Sequence, residues 1–329
     1  MGNVFKYMIY FIILLFIFSL ISTYFIKKYY IKKALYGEIN ERSSHNIPTP
    51  HGGGIAIFLS WFIGIFYLYY TNNIPEKLFY TLLFGALISI IGFFDDIYDL
   101  SAKIRLLVQA IVASLALYTL GGLQSIDFGM FLIENQIFTN IFAFLMIIWF
   151  INLYNFLDGI NGYAGSEAVF LAIAGFIFFG ANHFLILAVS VLGFLYWNYH
   201  NAKIFMGDVG STLLGYNIAI FTLYYGNLDT QNLWIWITLF SLFWFDATVT
   251  LLRRKINGEK LSQAHKKHAY QRITQTKWSH FKVSNYAIII NIILFCNLYF
   301  SSNVYIAFAI SLLLLYLVMR FVDSKKSFS

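Results

Sequence analysis

The chain has few charged residues: Asp, Glu, Lys and Arg make up 11% of its 329 residues, whereas 60% are hydrophobic. Charged residues account for about 25% of an ordinary soluble domain, so the composition excludes that class. The mean hydropathy of +0.70 points the same way. We therefore expect an all-α, polytopic membrane protein built as a helical bundle.

Cysteine and proline are also scarce. Cys296 is the only cysteine, so an intrachain disulfide is excluded and redox chemistry is not expected. The only prolines are Pro48, Pro50 and Pro75, which predicts largely unbroken spans, unlike the discontinuous helices with which a transporter binds its substrate at the membrane midplane. No repeat and no long linker divides the chain, so residues 1–329 are predicted to form a single transmembrane domain.

Eleven apolar stretches approach the roughly 20 residues that a spanning helix needs. They lie near residues 5–26, 53–71, 77–94, 104–120, 136–153, 163–180, 183–199, 209–226, 232–252, 284–301 and 303–320. Of the 22 Lys and Arg residues, all except Lys6 and Lys77 fall on one side of this arrangement. The positive-inside rule makes that side cytoplasmic, which predicts an N-terminus outside and a C-terminus in the cytoplasm.

Four polar clusters interrupt the apolar chain, and all fall in predicted cytoplasmic loops, at 95–105, 152–162, 200–211 and 253–283. In the first, Asp95, Asp96 and Asp99 stand at i, i+1 and i+4, which on a continuing helix places them on one arc. The helix dipole disfavours acids at the C-terminal end of a helix. The cluster therefore favours a cation site over a solvated helix end.

Arg105 and Lys103 begin the next helix, where they suit either a phosphate or an ordinary interface position.

The second and third clusters add oxygen ligands and glycines. Asn152, Asn155 and Asp158 recur at helical spacing, and Gly159 and Asn161 follow. Side-chain oxygens suit a hard divalent cation, and glycine lets a ligand approach the backbone. Asparagines at a helix end are alternatively plain caps.

In the third cluster, Asp208 opens a helix. It is either an N-cap or one carboxylate offered to a metal, with Phe205 presenting a flat face to a ring.

The fourth cluster is basic and includes His265, His268 and Arg272. As a juxtamembrane segment it would attract anionic headgroups. The two histidines lack a nearby Cys or carboxylate to complete a four-ligand zinc site. A clamp for a diphosphate fits the segment better.

Four motifs stand in one order across residues 45–272: Pro-Thr-Pro-x-Gly-Gly-Gly (48–54), Asp-Asp-x-x-Asp (95–99), Asn-x-x-Asn-x-x-Asp-Gly-x-x-Gly (152–162) and Phe-x-Gly-Asp-x-Gly-Ser (205–211). In these motifs the chain resembles the polyprenyl-phosphate N-acetylhexosamine-1-phosphate transferases. The resemblance implies transfer of a sugar 1-phosphate from a UDP-sugar to undecaprenyl phosphate, with release of UMP. It also implies a requirement for Mg²⁺, for which Mn²⁺ is an allowed substitute.

The resemblance assigns roles to individual residues. It implies that Asn155 and Asp208 ligate Mg²⁺, and that Arg105 meets phosphate. Uracil would be held by Gly159, Asn161 and Phe205. We hypothesise that Asp95 or Asp96 activates the lipid phosphate, because an anionic acceptor must be oriented against an anionic donor. The other candidates would neutralise the diphosphate (His265, His268 and Arg272) or support the site (Asp99, Asn152, Asp158 and Lys103).

The basic loop departs from the better-known relatives, because residues 262–272 have neither the triple-histidine run of the muramoyl-pentapeptide translocases nor the His-x-His-His of common GlcNAc-1-phosphate transferases. In this loop the chain looks like the O-antigen-initiating branch, which implies donors of the UDP-linked GlcNAc, FucNAc or QuiNAc type and a role in lipopolysaccharide synthesis. The alternatives are a muramoyl-pentapeptide phosphotransferase, a membrane prenyltransferase, which would carry a second aspartate-rich motif, and a transporter. We expect a multi-pass protein of the bacterial inner membrane with a cytoplasmic site and no nucleic-acid partner. A homodimer is left open.

Overall fold

The structure, a computed structural model, describes residues 2–33, 49–261, 263 and 265–328, and the predicted all-α class is confirmed. Its helices are α1 (Gly2–Lys32), α2 (Gly53–Tyr70), α3 (Glu76–Leu83), α4 (Gly85–Tyr98), α5 (Ala102–Leu120), α6 (Gln136–Phe156), α7 (Tyr163–Phe179), α8 (Asn182–Asn198), α9 (Asp208–Leu228), α10 (Thr230–Leu239), α11 (Ser241–Ile256), α12 (Ala269–Thr274), α13 (His280–Tyr299) and α14 (Val304–Lys325). Pro48 of the first motif, and Ser262 and Ala264 of the basic loop, lie outside the described residues.

Two short strands form a hairpin between α5 and α6. Strand β1 (Ile126–Asp127) pairs antiparallel with β2 (Leu132–Ile133), and Ile126 lies opposite Ile133. The indole N–H of Trp234 donates to the carbonyl of Asp127, so the hairpin is attached to α10.

Many helices are long and apolar enough to cross a membrane, which confirms a multi-pass membrane protein. Within the described residues, seven helical segments are long and apolar enough to span a membrane. The number becomes eight if the bent pair of α10 and α11 is one span. The seven are α1, α2, α3 with α4, α5, α6, α13 and α14. Helices α7 and α8 are shorter, with 17 residues each. The number eleven stays a prediction.

The expectation of unbroken spans is wrong for residues 232–252, because α10 and α11 meet at an angle of 71°. No proline or glycine causes this bend. Instead, side chains replace the lost helical hydrogen bonds: Ser241 Oγ donates to the carbonyl of Thr238 (2.6 Å), and Trp244 Nε1 donates to that of Ile237 (2.8 Å). A break at membrane depth is tolerated when the freed backbone groups find partners in this way.

Helix α9 lies at the centre of the bundle and packs against α2, α4, α6 and α10. Almost all of its residues are buried, including polar ones such as Ser211 and Asn217. Because protein surrounds α9, it tolerates polar side chains that a lipid-facing helix would not. The first residue of α9 is Asp208. The central helix therefore places this carboxylate at the end of the bundle where the other polar clusters lie.

Candidate active site

One guanidinium joins two of the predicted acidic residues. Arg105 Nη1, at the start of α5, lies 2.6 Å from Asp95 Oδ2 and 3.8 Å from Asp208 Oδ2. The Asp95 side chain is only 6% exposed, and its other oxygen accepts a hydrogen bond from the backbone N–H of Leu100 (2.8 Å). The first and third clusters therefore meet in space, with Asp95 fully engaged in holding Arg105.

The second cluster joins the same group through α6. Asn155 Nδ2 donates to Asp208 Oδ2 (3.0 Å), while Asn155 Oδ1 accepts from Ser211 Oγ (3.3 Å). One helical turn earlier, Asn152 Nδ2 donates to Gln109 Oε1 on α5 (2.6 Å). Asn152 thus fixes α6 against α5, whereas Asn155 contacts the acidic residue that the resemblance makes a metal ligand.

Asp96 binds the end of the central helix. Both of its carboxylate oxygens accept a hydrogen bond from the backbone N–H of Asp208, at 3.0 and 3.1 Å. A carboxylate is favourable at a helix N-terminus, where N–H groups lack intrahelical partners. A Cβ atom on Gly92 would lie 2.6 Å from the carbonyl of Asp208, so only glycine lets α4 come this close to α9.

The first motif is tied to the third by backbone hydrogen bonds. The N–H of Phe205 donates to the carbonyl of Pro50 (2.8 Å), and the N–H of Gly53 donates to the carbonyl of Phe205 (2.9 Å). The ring of Phe205 meets that of His51 edge-on, with centroids 5.2 Å apart. The segment that carries Asp208 is therefore supported from both sides, by α4 and by the entry to α2.

Two supporting candidates lie apart from this group. The expectation that one helix carries all three aspartates is wrong for Asp99, because α4 ends at Tyr98. Asp99 follows in a left-handed conformation (φ 48°), where its N–H caps the carbonyl of Asp95. The side chains of Asp99 and Lys103 are both exposed, so Asp99 meets the acidic group through its backbone N–H.

The turn after α6 carries the residues that the resemblance assigns to uracil. Asn161 donates through Nδ2 to the carbonyl of His200 (3.4 Å), and Ser284 Oγ donates to its backbone carbonyl (2.7 Å). Its side-chain oxygen is buried without a hydrogen-bond partner among the described residues, as expected of an acceptor that waits for a ligand donor. Burial, and then the charge of Asp96, raise the pKa of Asp158 well above its usual range.

The close contact with Tyr270 requires a glycine at position 159. A Cβ atom at this position would lie 2.2 Å from Tyr270 Oη and 3.2 Å from Cζ. The hydroxyl of Tyr270 in turn donates to the carbonyl of Phe156 (2.9 Å). The glycine therefore lets the turn after α6 rest on α12.

We expect Gly159→Ala to destabilise the turn by about 1–3 kcal/mol, the usual cost of overpacking. Tyr270→Phe removes the clashing oxygen, so the double variant should recover most of the loss that Gly159→Ala causes. A double-mutant cycle on the thermal unfolding midpoint of the detergent-solubilised protein measures this coupling. Additive losses in the double variant would contradict the contact.

His265 and His268 of the basic loop lie near the end of α6. The expected diphosphate contact of His268 is corrected, because its buried side chain places Nδ1 3.7 Å from Asp246 Oδ1. The His268 ring stacks near that of Phe156 at 6.4 Å, and the two histidine rings are 4.8 Å apart. Burial, with smaller effects of the charges of His268 and Arg254, lowers the pKa of His265 to about 4. His265 is therefore neutral near pH 7.

Arg272 does not face the acidic group. Its side chain is buried, and its Nη1 atom donates to Asp323 Oδ1 and to the carbonyl of Lys326, both at 2.8 Å. These contacts attach α12 to the C-terminal helix. The structure thus corrects the expected diphosphate contact of Arg272, because its charge is already paired with Asp323.

Asp246 was missed by the sequence interpretation. Its buried carboxylate accepts hydrogen bonds from the N–H groups of Ala269 (2.8 Å) and Tyr270 (3.3 Å) and from Thr250 Oγ1 (3.0 Å). It holds the first turn of α12, and hence the tyrosine under Gly159. An acidic residue inside the apolar stretch 232–252 was the available signal, since such residues are rare in spans and usually functional.

The donor set fits a hard divalent cation that is shared with phosphate. The carboxylates of Asp95 and Asp208 lie 2.6 and 3.8 Å from the guanidinium of Arg105, and the carboxylate of Asp96 accepts from the backbone N–H of Asp208. Within the described residues no three His, Cys, Asp or Glu side chains converge as a complete metal site. Mg²⁺ commonly uses one or two carboxylates together with waters and substrate phosphates, which this arrangement matches.

Comparisons with known proteins identify the family of the chain. The profile of glycosyl transferase family 4 matches residues 78–226. The chain is 31% identical over 275 residues to the "Probable undecaprenyl-phosphate N-acetylglucosaminyl 1-phosphate transferase" of Bacillus subtilis, covering 79% of this chain and 75% of the relative. It is 27% identical to the undecaprenyl-phosphate alpha-N-acetylglucosaminyl 1-phosphate transferase of Thermotoga maritima, covering 85% and 88%.

A third similar protein is the phospho-N-acetylmuramoyl-pentapeptide-transferase of Streptococcus pneumoniae, which is 30% identical over 227 residues and covers 62% of this chain and 67% of its own length.

Proposed function

Because the chain belongs to glycosyl transferase family 4, a family of membrane phosphotransferases, we propose that it transfers an N-acetylhexosamine 1-phosphate from a UDP-sugar to undecaprenyl phosphate and releases UMP. The observation that carries this proposal is the convergence of Arg105, Asp95, Asp96, Asp208 and Asn155 at the junction of α4, α5, α6 and α9. This group of one guanidinium, three carboxylates and an amide suits the transfer of a phosphate group, which depends on positioning and charge neutralisation.

The residues of the site have different roles in the proposed reaction. In this transfer an acceptor phosphate oxygen forms a bond to the β-phosphorus of the donor, and the bond to the UMP oxygen breaks. Arg105 stabilises negative charge on the transferring phosphate, and Asp95 holds the guanidinium in place. Asp96 keeps Asp208 in position through its backbone N–H. Positioning and charge neutralisation supply most of the rate enhancement in such reactions.

Mg²⁺ is part of the proposal. Asp208 and Asn155 would hold it, and it would neutralise the donor diphosphate and the leaving UMP. The contact of Asn155 with Asp208 supports this assignment, because Mg²⁺ is usually held by one or two carboxylates together with waters and substrate phosphates. Uracil is assigned to Gly159, Asn161 and Phe205, where Asn161 offers its unpaired buried oxygen to an N–H donor.

An apolar groove supports a prenyl acceptor. It has a volume of about 550 Å³ and lies between α11, α13 and α14. Tyr163 and Tyr270 line one part of it, beside the turn after α6, while Leu315 and Ile293 line another. A prenyl chain held there would lie beside Tyr270, whose hydroxyl contacts the end of α6.

We further propose a donor of the UDP-GlcNAc, UDP-FucNAc or UDP-QuiNAc type and a role in initiating O-antigen or another envelope glycan at the inner membrane. The sequence of residues 262–272, which has neither a triple-histidine run nor His-x-His-His, supports the FucNAc and QuiNAc types, and the names of two similar proteins support the GlcNAc type. The name of one relative describes 1-phosphate transfer, and that of another describes transfer of a phospho-N-acetylmuramoyl-pentapeptide group.

The experiment is UMP release by purified protein with a panel of UDP-sugars and Mg²⁺. We expect release only when a long-chain prenyl phosphate is present, with N-acetylated hexosamines preferred over UDP-MurNAc-pentapeptide. A short alkyl phosphate is the control for the groove and should react poorly. Failure of all donors would contradict the proposed function.

The proposed orientation places the acidic group on the cytoplasmic side, with the N-terminus outside. The distribution of Lys and Arg supports it, because only Lys6 and Lys77 lie opposite the other basic residues. An impermeant reagent should label tags at the two chain ends from opposite faces of inner-membrane vesicles. Labelling of both ends from one face would contradict an odd number of spans.

A further inference from the structure

Two neighbouring arginines at the end of α11 have different partners. Arg253 makes a two-pronged ion pair with Asp323 of α14, at 2.9 and 3.0 Å. Arg254 points the other way, and its residue is only 1% exposed. A buried arginine is costly unless its N–H groups are satisfied, so its partners show what it holds in place.

Arg254 binds the loop that follows it. Its Nη2 atom donates to the carbonyls of Lys260 (2.7 Å) and Gln263 (2.9 Å), and Nη1 donates to the carbonyl of Leu261 (3.3 Å). Its Nε atom donates to Glu259 Oε2 (3.0 Å). Four of the five N–H groups of one guanidinium are thus used to fold residues 259–263 around it.

The same contacts continue toward the candidate site. Glu259 Oε1 accepts from Lys267 Nζ (2.9 Å), and the backbone N–H of Lys267 donates to His265 Nδ1 (3.1 Å). Hydrogen bonds from Lys267 and Arg254 lower the pKa of Glu259, which keeps it ionised at neutral pH. From His268 the chain enters α12, whose Tyr270 supports the turn after α6.

We propose that Arg254 is a positioning residue that holds residues 259–261, 263 and 265–268 of the basic loop for contact with the nucleotide diphosphate of the donor. This inference rests on the proposed function, because the loop is taken to face the donor. Arg254 itself does not touch the substrate. It acts through the backbone of residues 260–263 and through the Glu259–Lys267 ion pair, which together set the place of His265 and Lys267.

The test compares Arg254→Gln with Arg253→Gln in the full-length, detergent-solubilised protein. Arg253→Gln removes the adjacent charge and a similar ion pair while leaving the loop contacts intact. We expect Arg254→Gln to raise the KM for the UDP-sugar roughly 10- to 100-fold, as for a misplaced binding group, and to leave the KM for the prenyl phosphate within about twofold. Arg253→Gln should change neither KM.

Amide hydrogen exchange provides a readout that does not need activity. In Arg254→Gln, exchange should accelerate in residues 259–268 and stay unchanged in α9, whereas Arg253→Gln should leave the loop as in the wild type. If Arg254→Gln does not fold, Glu259→Ala serves instead, because the Glu259 side chain is 25% exposed; we expect the same changes at smaller size.

An unchanged donor KM and unchanged exchange in the folded Arg254 or Glu259 variant would overturn the proposal, as would equal effects of Arg253→Gln. A loss of thermal stability and kcat at constant KM would reduce Arg254 to a structural residue and would also overturn it. If the wild type releases no UMP from any donor, the proposed function fails, while the exchange comparison still decides whether Arg254 holds the loop.

Discussion

Asp208→Asn is expected to lower the turnover number by roughly 10³-fold or more, as for loss of a central charge-stabilising group. Asp208 is the carboxylate that Asn155 contacts at 3.0 Å and Arg105 approaches at 3.8 Å. An amide of the same shape keeps the fold but removes the charge that would bind Mg²⁺. Initial rates across a wide range of Mg²⁺ concentrations measure the effect, and excess metal should not restore activity.

Asn155→Ala is expected to cause a smaller loss of activity than Asp208→Asn. Loss of a neutral ligand should cost about 10- to 100-fold and should be partly recovered by excess Mg²⁺. The matched control is Asp229→Asn, at the opposite end of α9, where an amide oxygen can still accept from the N–H of Gln231 as Asp229 does (2.9 Å). Near-normal activity in Asp208→Asn, or equal losses in Asp229→Asn, would contradict the metal assignment.

Asp95→Asn and Asp96→Asn are each expected to reduce the rate of the chemical step by roughly 10²- to 10⁴-fold, with UDP-sugar binding largely retained. Asp95 would no longer hold Arg105 through a charged pair at 2.6 Å, and Asp96 would offer a weaker acceptor to the N–H of Asp208. Rapid-quench measurement of a single turnover separates the chemical step from donor binding.

The same variants bear on the order of bond formation. We expect one direct attack by the lipid phosphate, since both oxygens of Asp95 and both of Asp96 are already engaged and a free carboxylate nucleophile would gain little. The enzyme without acceptor should therefore release no UMP. One equivalent of UMP per enzyme, with label trapped on Asp95 or Asp96, would show a covalent intermediate instead.

The sequence predicted the class of fold and the central members of the site because both leave local signals. Apolar length marks the spans, and Asp95, Asn155 and Asp208 lie in motifs with helical spacing at span ends. Because the loops that carry these residues were predicted to lie on one side of the membrane, the residues were expected to lie close together. In the structure, Arg105 contacts both Asp95 and Asp208, so the first and third clusters lie together as expected.

What could not be predicted depends on contacts between distant residues. The bend between α10 and α11 has no proline or glycine, and it is stabilised by Ser241 and Trp244, which are unremarkable in sequence. Arg254 and Arg272 look alike in a basic loop, yet one holds backbone carbonyls and the other pairs with Asp323. Asp99 fits the spacing, but the helix ends one residue too early to include it.

The pairing of Pro50 and Gly53 with Phe205 also constrains how the protein is made. These partners are separated by about 150 residues, a long-range contact that forms late in folding. During synthesis, helices up to α8 enter the membrane before the Phe205 segment and α9 emerge from the ribosome. A nascent chain that ends after α8 contains Asp96 but lacks Asp208. The carboxylate of Asp96 then has no Asp208 N–H from which to accept a hydrogen bond. The acidic cleft is therefore completed only in the second half of insertion, and truncated products cannot bind substrate through it.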